Sequence, residues 1–218
     1  MRNIKFTIGE FYHIYNRGVD KRSIFMDAED LCRFLKSMND FNVPDPIGSI
    51  FENSFYQLGS RAPKSSKLVN FITYCLNQNH YHFILEPLVD DGIQEFMHKL
   101  STGYTNYFNE KYKRNGSLFQ GKYKAVHINS DEYLLHLSVY VNLNYKVHKS
   151  LNKKWMENLP ISSFDEYIGK TEKIFCVKNI VLEQFSNSKE YRNFCESVLL
   201  DILERKKNEK ELENMLLE

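Results

Sequence analysis

Four side chains in this sequence have the types and spacing to do chemistry together. His80-Tyr81-His82 sits in a stretch with strand-like composition, and alternation along a strand puts both histidines on one face with Tyr81 on the other. Two imidazoles at that spacing can reach one metal ion. Tyr140 and Asn144 are four residues apart in a helical pattern, so they stack one above the other on a single face. A carboxamide oxygen suits a hard divalent cation such as Mg²⁺ or Mn²⁺, whereas zinc more often takes another His, a Cys or a carboxylate. A phenol beside such an ion is a candidate nucleophile. Each pair is weak by itself. Seven histidines scattered through 218 positions give a His-x-His in roughly one sequence in five. Tyr140 is one of 14 tyrosines, and packing accounts for most tyrosines.

The elements that must position these groups follow from periodicity. Phe11 to Asn16 reads as a strand closed by the Arg17-Gly18 turn. Asp27 caps a helix with Leu31, Phe34, Leu35 and Met38 on one face, ending near Asn42 ahead of Pro44 and Pro46. Residues 43–67 are rich in Pro, Gly, Ser and Asn and read as a long surface loop. Leu68–Leu76 and His80–Glu86 form a hairpin around Asn77-Gln78-Asn79, stopped by Pro87. A helix from Gly92 to about Asn109, a basic turn from Lys113 to Gly121 and a strand from Lys122 to Ile128 come next. Ser130 then caps a helix with Asp131 and Glu132 in its first turn, running to about Tyr145. The order β-α-β-β-α-β matches a ferredoxin-like split βαβ, an α+β fold in which helices cover one face of an antiparallel sheet, with the last helix added. Past Ser150 the pattern weakens. Leu159–Ser163 reads as an ordered loop, Lys189–Leu203 as a helix, and Glu204–Glu218 as a charge-rich, helical or frayed tail. The expected organisation is a catalytic region over 1–150 and a helical extension over 151–218.

Composition permits a real core, with 42% hydrophobic residues, and argues against low-complexity disorder. The net charge of +1 announces no nucleic-acid partner. Locally, Lys99, Lys111, Lys113, Arg114, Lys122 and Lys124 face a single acid, Glu110, with six aromatics interleaved. Cations neutralise phosphates and aromatic faces stack on unpaired bases; equally, such a run forms a solvated helix end over core aromatics. The four cysteines suit neither a zinc ribbon nor a disulfide framework, so buried free thiols are expected. Without an apolar leader or membrane-length run, the expectation is a soluble, cytoplasmic chain.

Several of these segments resemble one family. Asn79-His80-Tyr81-His82-Phe83-Ile84-Leu85 resembles the His-hydrophobic-His strand of the single-tyrosine (Y1) HUH transposases, the group of the IS200/IS605 elements and the REP-associated tyrosine transposases. Tyr140-Val141-Asn142-Leu143-Asn144 resembles their nucleophile helix, in which a tyrosine precedes by four positions the Gln or Asn that completes the metal site. Phe11–Gly18 is similar to their first strand, Gly116–Lys124 to the approach to their last strand, and Ser130–Leu135 to the start of their catalytic helix. The resemblance spans about residues 9 to 148. Two departures stand out: Asn77-Gln78 replaces a frequent Met-Pro, and Asn144-Tyr145 replaces a frequent Asn-Pro, whose loss could let the helix run on and re-aim Tyr140.

The resemblance implies metal-dependent cleavage and joining of single-stranded DNA bearing hairpins. Tyr140 would form a 5′-phosphotyrosine beside a Mg²⁺ or Mn²⁺ ion held by His80, His82 and Asn144. Arg17, Lys113, Arg114, Lys122 and Lys124 are candidates for holding phosphates, and Asn16 for touching DNA at the first turn. His136, four residues before Tyr140, could position it or be a plain surface histidine. His13 and His127 read as ordinary strand residues. A monomer or homodimer is expected. The alternative is a domesticated relative that binds DNA hairpins without cutting them.

Overall fold

The computed structural model describes residues 4–48, 66–148, 154–157, 159–171 and 175–215, with side chains described through residue 208. Four strands, β1 (Phe11–Arg17), β2 (Val69–Asn77), β3 (His80–Pro87) and β4 (Lys124–Ile128), form one sheet in the order β2-β3-β1-β4. Every pairing is antiparallel, with Tyr15 opposite His82 and Arg17 opposite His80 between β1 and β3. Helix α1 (Ala28–Asp40) links β1 to β2 across β3, and α2 (Gly92–Lys111) links β3 to β4 across β1. This is the split βαβ expected from the sequence.

The sheet's two faces are sorted by alternation. Tyr81 and Phe83 of β3 point to the α1–α2 side, where Phe34 stacks against Phe83 and meets Tyr104 edge-on at 4.8 Å between centroids. Each such buried ring contributes about 2–3 kcal/mol of transfer free energy. Alternation therefore sends His80 and His82 to the opposite face. That face is covered by α3 (Asp131–Asn142), capped by Ser130, whose hydroxyl accepts from Tyr133 N. Instead of running on to Tyr145, α3 ends at Asn142. Leu143 adopts φ −108°, ψ 10°, and a one-turn helix, α4 (Asn144–Val147), follows through the tightened Lys146 N to Leu143 O bond.

A buried charge cluster locks the α1 N-terminus to the α2 C-terminus. Asp30 is fully buried and accepts from Met26 N, Lys111 Nζ and the hydroxyls of Tyr107 and Tyr112 at 2.8–3.1 Å. Lys111 also pairs with Asp27 and Glu29. The Lys111 ammonium is thereby held well above its ordinary range, its carboxylate and phenol partners outweighing the opposing effect of burial.

The segment past residue 159 closes the open edge of β2. Leu76 N donates to Ile161 O at 2.7 Å, Ser163 N to Tyr74 O at 3.0 Å, and Val177 N to Phe71 O at 2.8 Å. An unpaired edge strand is a template for aggregation, and this cover removes it. Short helices α5 (Phe164–Tyr167) and α6 (Asn179–Leu182) lead into α7 (Ser188–Met215), which extends twelve residues beyond the expected Leu203. Of the expected surface loop at 43–67, residues 49–65 lie outside the described residues. Cysteines 75, 176 and 195 are buried free thiols, whereas Cys32 is exposed. Among the described residues no helix is long and apolar enough to cross a membrane.

Replacing Asp30 by Ala removes the buried acceptor of Met26 N and Tyr107 and one of the partners of Tyr112 and Lys111, which keep Asp27. The expected loss is roughly 3 kcal/mol of folding stability in urea titration, at unchanged sheet content by circular dichroism.

Candidate active site

The turn that presents His80 is anchored before any chemistry is considered. Gly18 N donates to Asn79 O at 2.8 Å, Ile24 N and Phe25 N donate to Gln78 O, and Asn79 Nδ2 donates to Lys21 O. Gly18 is required there, because a Cβ would sit 2.2 Å from Arg22 O. The adjoining Asp20 and Lys21 both take left-handed φ values, 54° and 58°. Two consecutive non-glycine residues in that region store strain that the anchored turn must hold.

His80 Nδ1 lies 2.6 Å from Asn79 Oδ1, an acceptor, so the proton of the neutral ring sits there. His80 Nε2 then presents its lone pair 3.1 Å from the Asn144 amide oxygen. Asn144 is fully buried, and Asn77 Nδ2 donates to the same oxygen at 2.9 Å. In this orientation the Asn144 Nδ2 and the Asn77 Oδ1 have no hydrogen-bond partner. Two acceptor atoms converge between His80 and Asn144, an arrangement that a shared cation relieves.

His82 Nδ1 lies 2.9 Å from His13 Nε2, with the two rings nearly parallel at 17°. With its proton on Nδ1, His82 donates to His13 and turns Nε2 free as a lone pair, the usual partnership of a ligating imidazole. His13 thus has a role beyond that of an ordinary strand residue. Burial lowers the pKa of His13 to about 4 and pushes His80 and His82 down as well, the latter furthest, so all three are neutral at pH 7.

Tyr140 of α3 meets His82 edge-on, ring centroids 5.7 Å apart. Burial raises its phenol pKa, and hydrogen bonding by the Asn144 carboxamide opposes that rise. One chain therefore brings His80, His82, Tyr140 and Asn144 together. His80, His82 and Tyr140 border a cavity of about 700 Å³, also lined by Tyr15, Arg17, Lys21, Asn79 and Lys124, with Asn144 buried behind His80. Asn16, Gln120 and His148 complete its rim. Among the described residues no three or more His, Cys, Asp or Glu side chains are grouped to hold a metal, so a three-ligand site here draws its third atom from Asn144.

Not every candidate from the sequence arrives. His136 packs its ring on Phe194 of α7, 5.4 Å between centroids, and does not line the cavity. Arg17 and Lys124 do line it, whereas Lys113, Arg114 and Lys122 do not; Arg114 lies over the Phe108 ring instead. The cations of the basic run therefore do not all face this cavity. Lys99 donates to Val43 O and Pro44 O, Lys111 is held by carboxylates, and Tyr104, Phe108 and Phe119 are core. His127 bonds Glu10 away from the site. The sequence reading passed over Tyr15, Lys21, Gln120 and His148. His148 was findable, since it continues the four-residue spacing of Tyr140 and Asn144; Lys21 and Gln120 reach the rim only through the fold.

The segment past residue 159 holds α3. Asn142 is fully buried; its Nδ2 donates to Tyr191 Oη at 2.9 Å, and its Oδ1 accepts from Ser163 Oγ at 2.6 Å. Ser163 Oγ also accepts from Tyr74 N of β2. The network ties α3 to the sheet edge and to α7 two residues from both Tyr140 and Asn144.

This is a ferredoxin-like sheet with a His-x-His strand and a Tyr/Asn helix on one face. Residues 52–144 match the family model described as IS200-like transposase. The fold matches the solved structure of a REP-associated tyrosine transposase bound to a REP hairpin, with a TM-score of 0.56 at 11% identity, covering 80% of this chain and 88% of that one. No curated protein sequence matches the chain. Over residues 52–144 the chain is therefore similar to the IS200-like transposases, and its fold is that of a REP-associated tyrosine transposase.

The depressed His13 sets a pH dependence for the metal-free protein. Between its folded value of about 4 and its unfolded value of 6.5 the unfolded chain binds the proton and the folded chain does not. Stability in the presence of a chelator should therefore fall as pH drops from 7 through that window, by roughly 3 kcal/mol for His13 alone. His13→Gln should flatten the profile, as read by urea midpoints at pH 7 and pH 4.5.

Proposed function

We propose that this chain cleaves and rejoins single-stranded DNA carrying hairpin structure, by transesterification through Tyr140. The observation that carries the reading is the approach of Tyr140 from α3 and Asn144 from the start of α4 to His82 and His80 of β3, beside one cavity rimmed by cations. The partner is proposed from the family and from the hairpin held by the similar tyrosine transposase.

His80 Nε2, the free nitrogen of His82 and Asn144 Oδ1 fit a divalent cation, Mg²⁺ or Mn²⁺, as two neutral imidazoles and one amide oxygen. When bound, such an ion supplies Lewis-acid polarisation of a phosphate oxygen. Asn79 and His13 hold the two imidazoles in the required tautomers, and Asn77 orients the amide.

Tyr140 is the nucleophile. Its oxygen forms a bond to phosphorus, the bond from phosphorus to the 3′ oxygen breaks, and that oxygen departs as a 3′-hydroxyl. The phenol proton is relayed through the solvent of the cavity to the departing 3′ oxygen, so the step is proton-neutral. The product is a 5′-phosphotyrosine in which the ester bond is conserved, so a second 3′-hydroxyl reverses the step and joins strands without a nucleotide cofactor. Arg17, Lys21 and Lys124 hold the flanking phosphates as an electrostatic clamp.

With hairpin oligonucleotides and Mn²⁺, the wild-type protein should form a covalent adduct visible on a denaturing gel. Tyr140→Phe should abolish the adduct while retaining binding within about twofold, because the ring and its packing persist. A His80→Ala, His82→Ala double variant should lose metal-dependent cleavage and Mn²⁺ binding by calorimetry. Hairpin binding by wild type without any adduct would favour the non-cleaving relative instead, and full cleavage by Tyr140→Phe would refute the assignment.

A further inference from the structure

The cavity holds a second tyrosine that the reaction just described does not use. Tyr15 stands on β1 between His13 and Arg17, directly across from His82. The hydrogen-bonded His13 and His82 rings are nearly parallel, and the Tyr15 ring is close to parallel with both. It is 4.9 Å from His13 at 28° and 5.6 Å from His82 at 18°. The phenol ring therefore packs in a stacked arrangement against the imidazole pair. Lys124 Nζ lies over the same ring at 6.0 Å, and Tyr15 lines the cavity only half-buried.

An aromatic ring stacked on one side, overlooked by a cation and open to a cavity beside a phosphate-attacking group, has the form of a base platform. The platform is rigid, because the imidazole pair it packs against is fixed by its own hydrogen bond. Arg17, two residues along the same face, is held through its Nε by Gln120 and supplies a planar cation at the platform's edge.

We propose that Tyr15 is the stacking platform for the nucleobase next to the scissile phosphate, with Lys124 shifting from the ring to that nucleotide's phosphate. A π-face accepts any base, so this subsite sets the strand's position and not its sequence. The inference rests on the DNA-cleaving reading and deepens it.

The test uses the full chain and a hairpin oligonucleotide whose single-stranded flanks carry 5-iododeoxyuridine. Near-ultraviolet irradiation of the wild-type complex should crosslink the segment Phe6–Arg17, with fragmentation placing the adduct on Tyr15. Affinity is measured by anisotropy in EDTA, so that any disturbance of the metal ligands under the ring does not register. Tyr15→Ala should weaken binding roughly tenfold to hundredfold, the range of one base–aromatic stack, and Tyr15→Phe should stay within about twofold. Wild-type crosslinks mapping only elsewhere, or Tyr15→Ala binding with unchanged affinity, while the Tyr140 adduct still forms, would overturn the platform and leave the cleavage reading intact. Failure of the wild-type protein to bind the hairpin or form the adduct would overturn both.

Discussion

The buried carboxamide of Asn144 is where the sheet meets the end of α3. Its oxygen lies within hydrogen-bond distance of Asn77 Nδ2 from the end of β2 and of His80 Nε2 from the start of β3. Tyr140 sits one helical turn before it, so the position of the phenol against His82 follows from where Asn144 is pinned. A side chain this buried and this polar is stable only with its partners satisfied, and here one contact opposes two acceptors when His80 is neutral. That local frustration is of the kind expected where a site, and not the fold, sets the residue types.

The surrounding architecture holds the joint from three directions. Below, the Gln78–Asn79 turn is bonded to residues 18–25, fixing the height of His80. Beside it, the His13–His82 pair fixes the second imidazole. From behind, Asn142 is clamped between Ser163 and Tyr191, so the residues past 159 cover a sheet edge and hold the nucleophile's helix at once. A substitution at Tyr191 can thus disturb Tyr140 without touching the cavity.

Periodicity was sufficient for the strands, for α1 and α2, and for the split βαβ order, because the apolar pattern of each element matches one buried face. His80 and His82 share a face for the simplest reason, the two-residue repeat of a strand. The end of α3 at Leu143 was not legible: no proline or glycine marks it, and its hydrogen bonds are visible only in three dimensions. Charge counting cannot show which cations of the basic run are already paired, since Lys99 and Lys111 find carbonyls and carboxylates far away in sequence. His13 gave no local sign of its partner, 69 residues distant. Even the spacing that suggested His136 points it to Phe194, because α7, only partly readable from its sequence, covers that side of the helix.

The central claim is that one cation site is shared by a strand's two imidazoles and a helix's carboxamide, within reach of Tyr140 of the same chain. A crystal of the protein soaked in Mn²⁺ tests it directly through anomalous scattering. The account predicts a single strong peak bounded by His80 Nε2, His82 and Asn144 Oδ1, with the Tyr140 ring still against His82. A peak at other ligands, or an ion at His80 and His82 with Asn144 turned away, would contradict it.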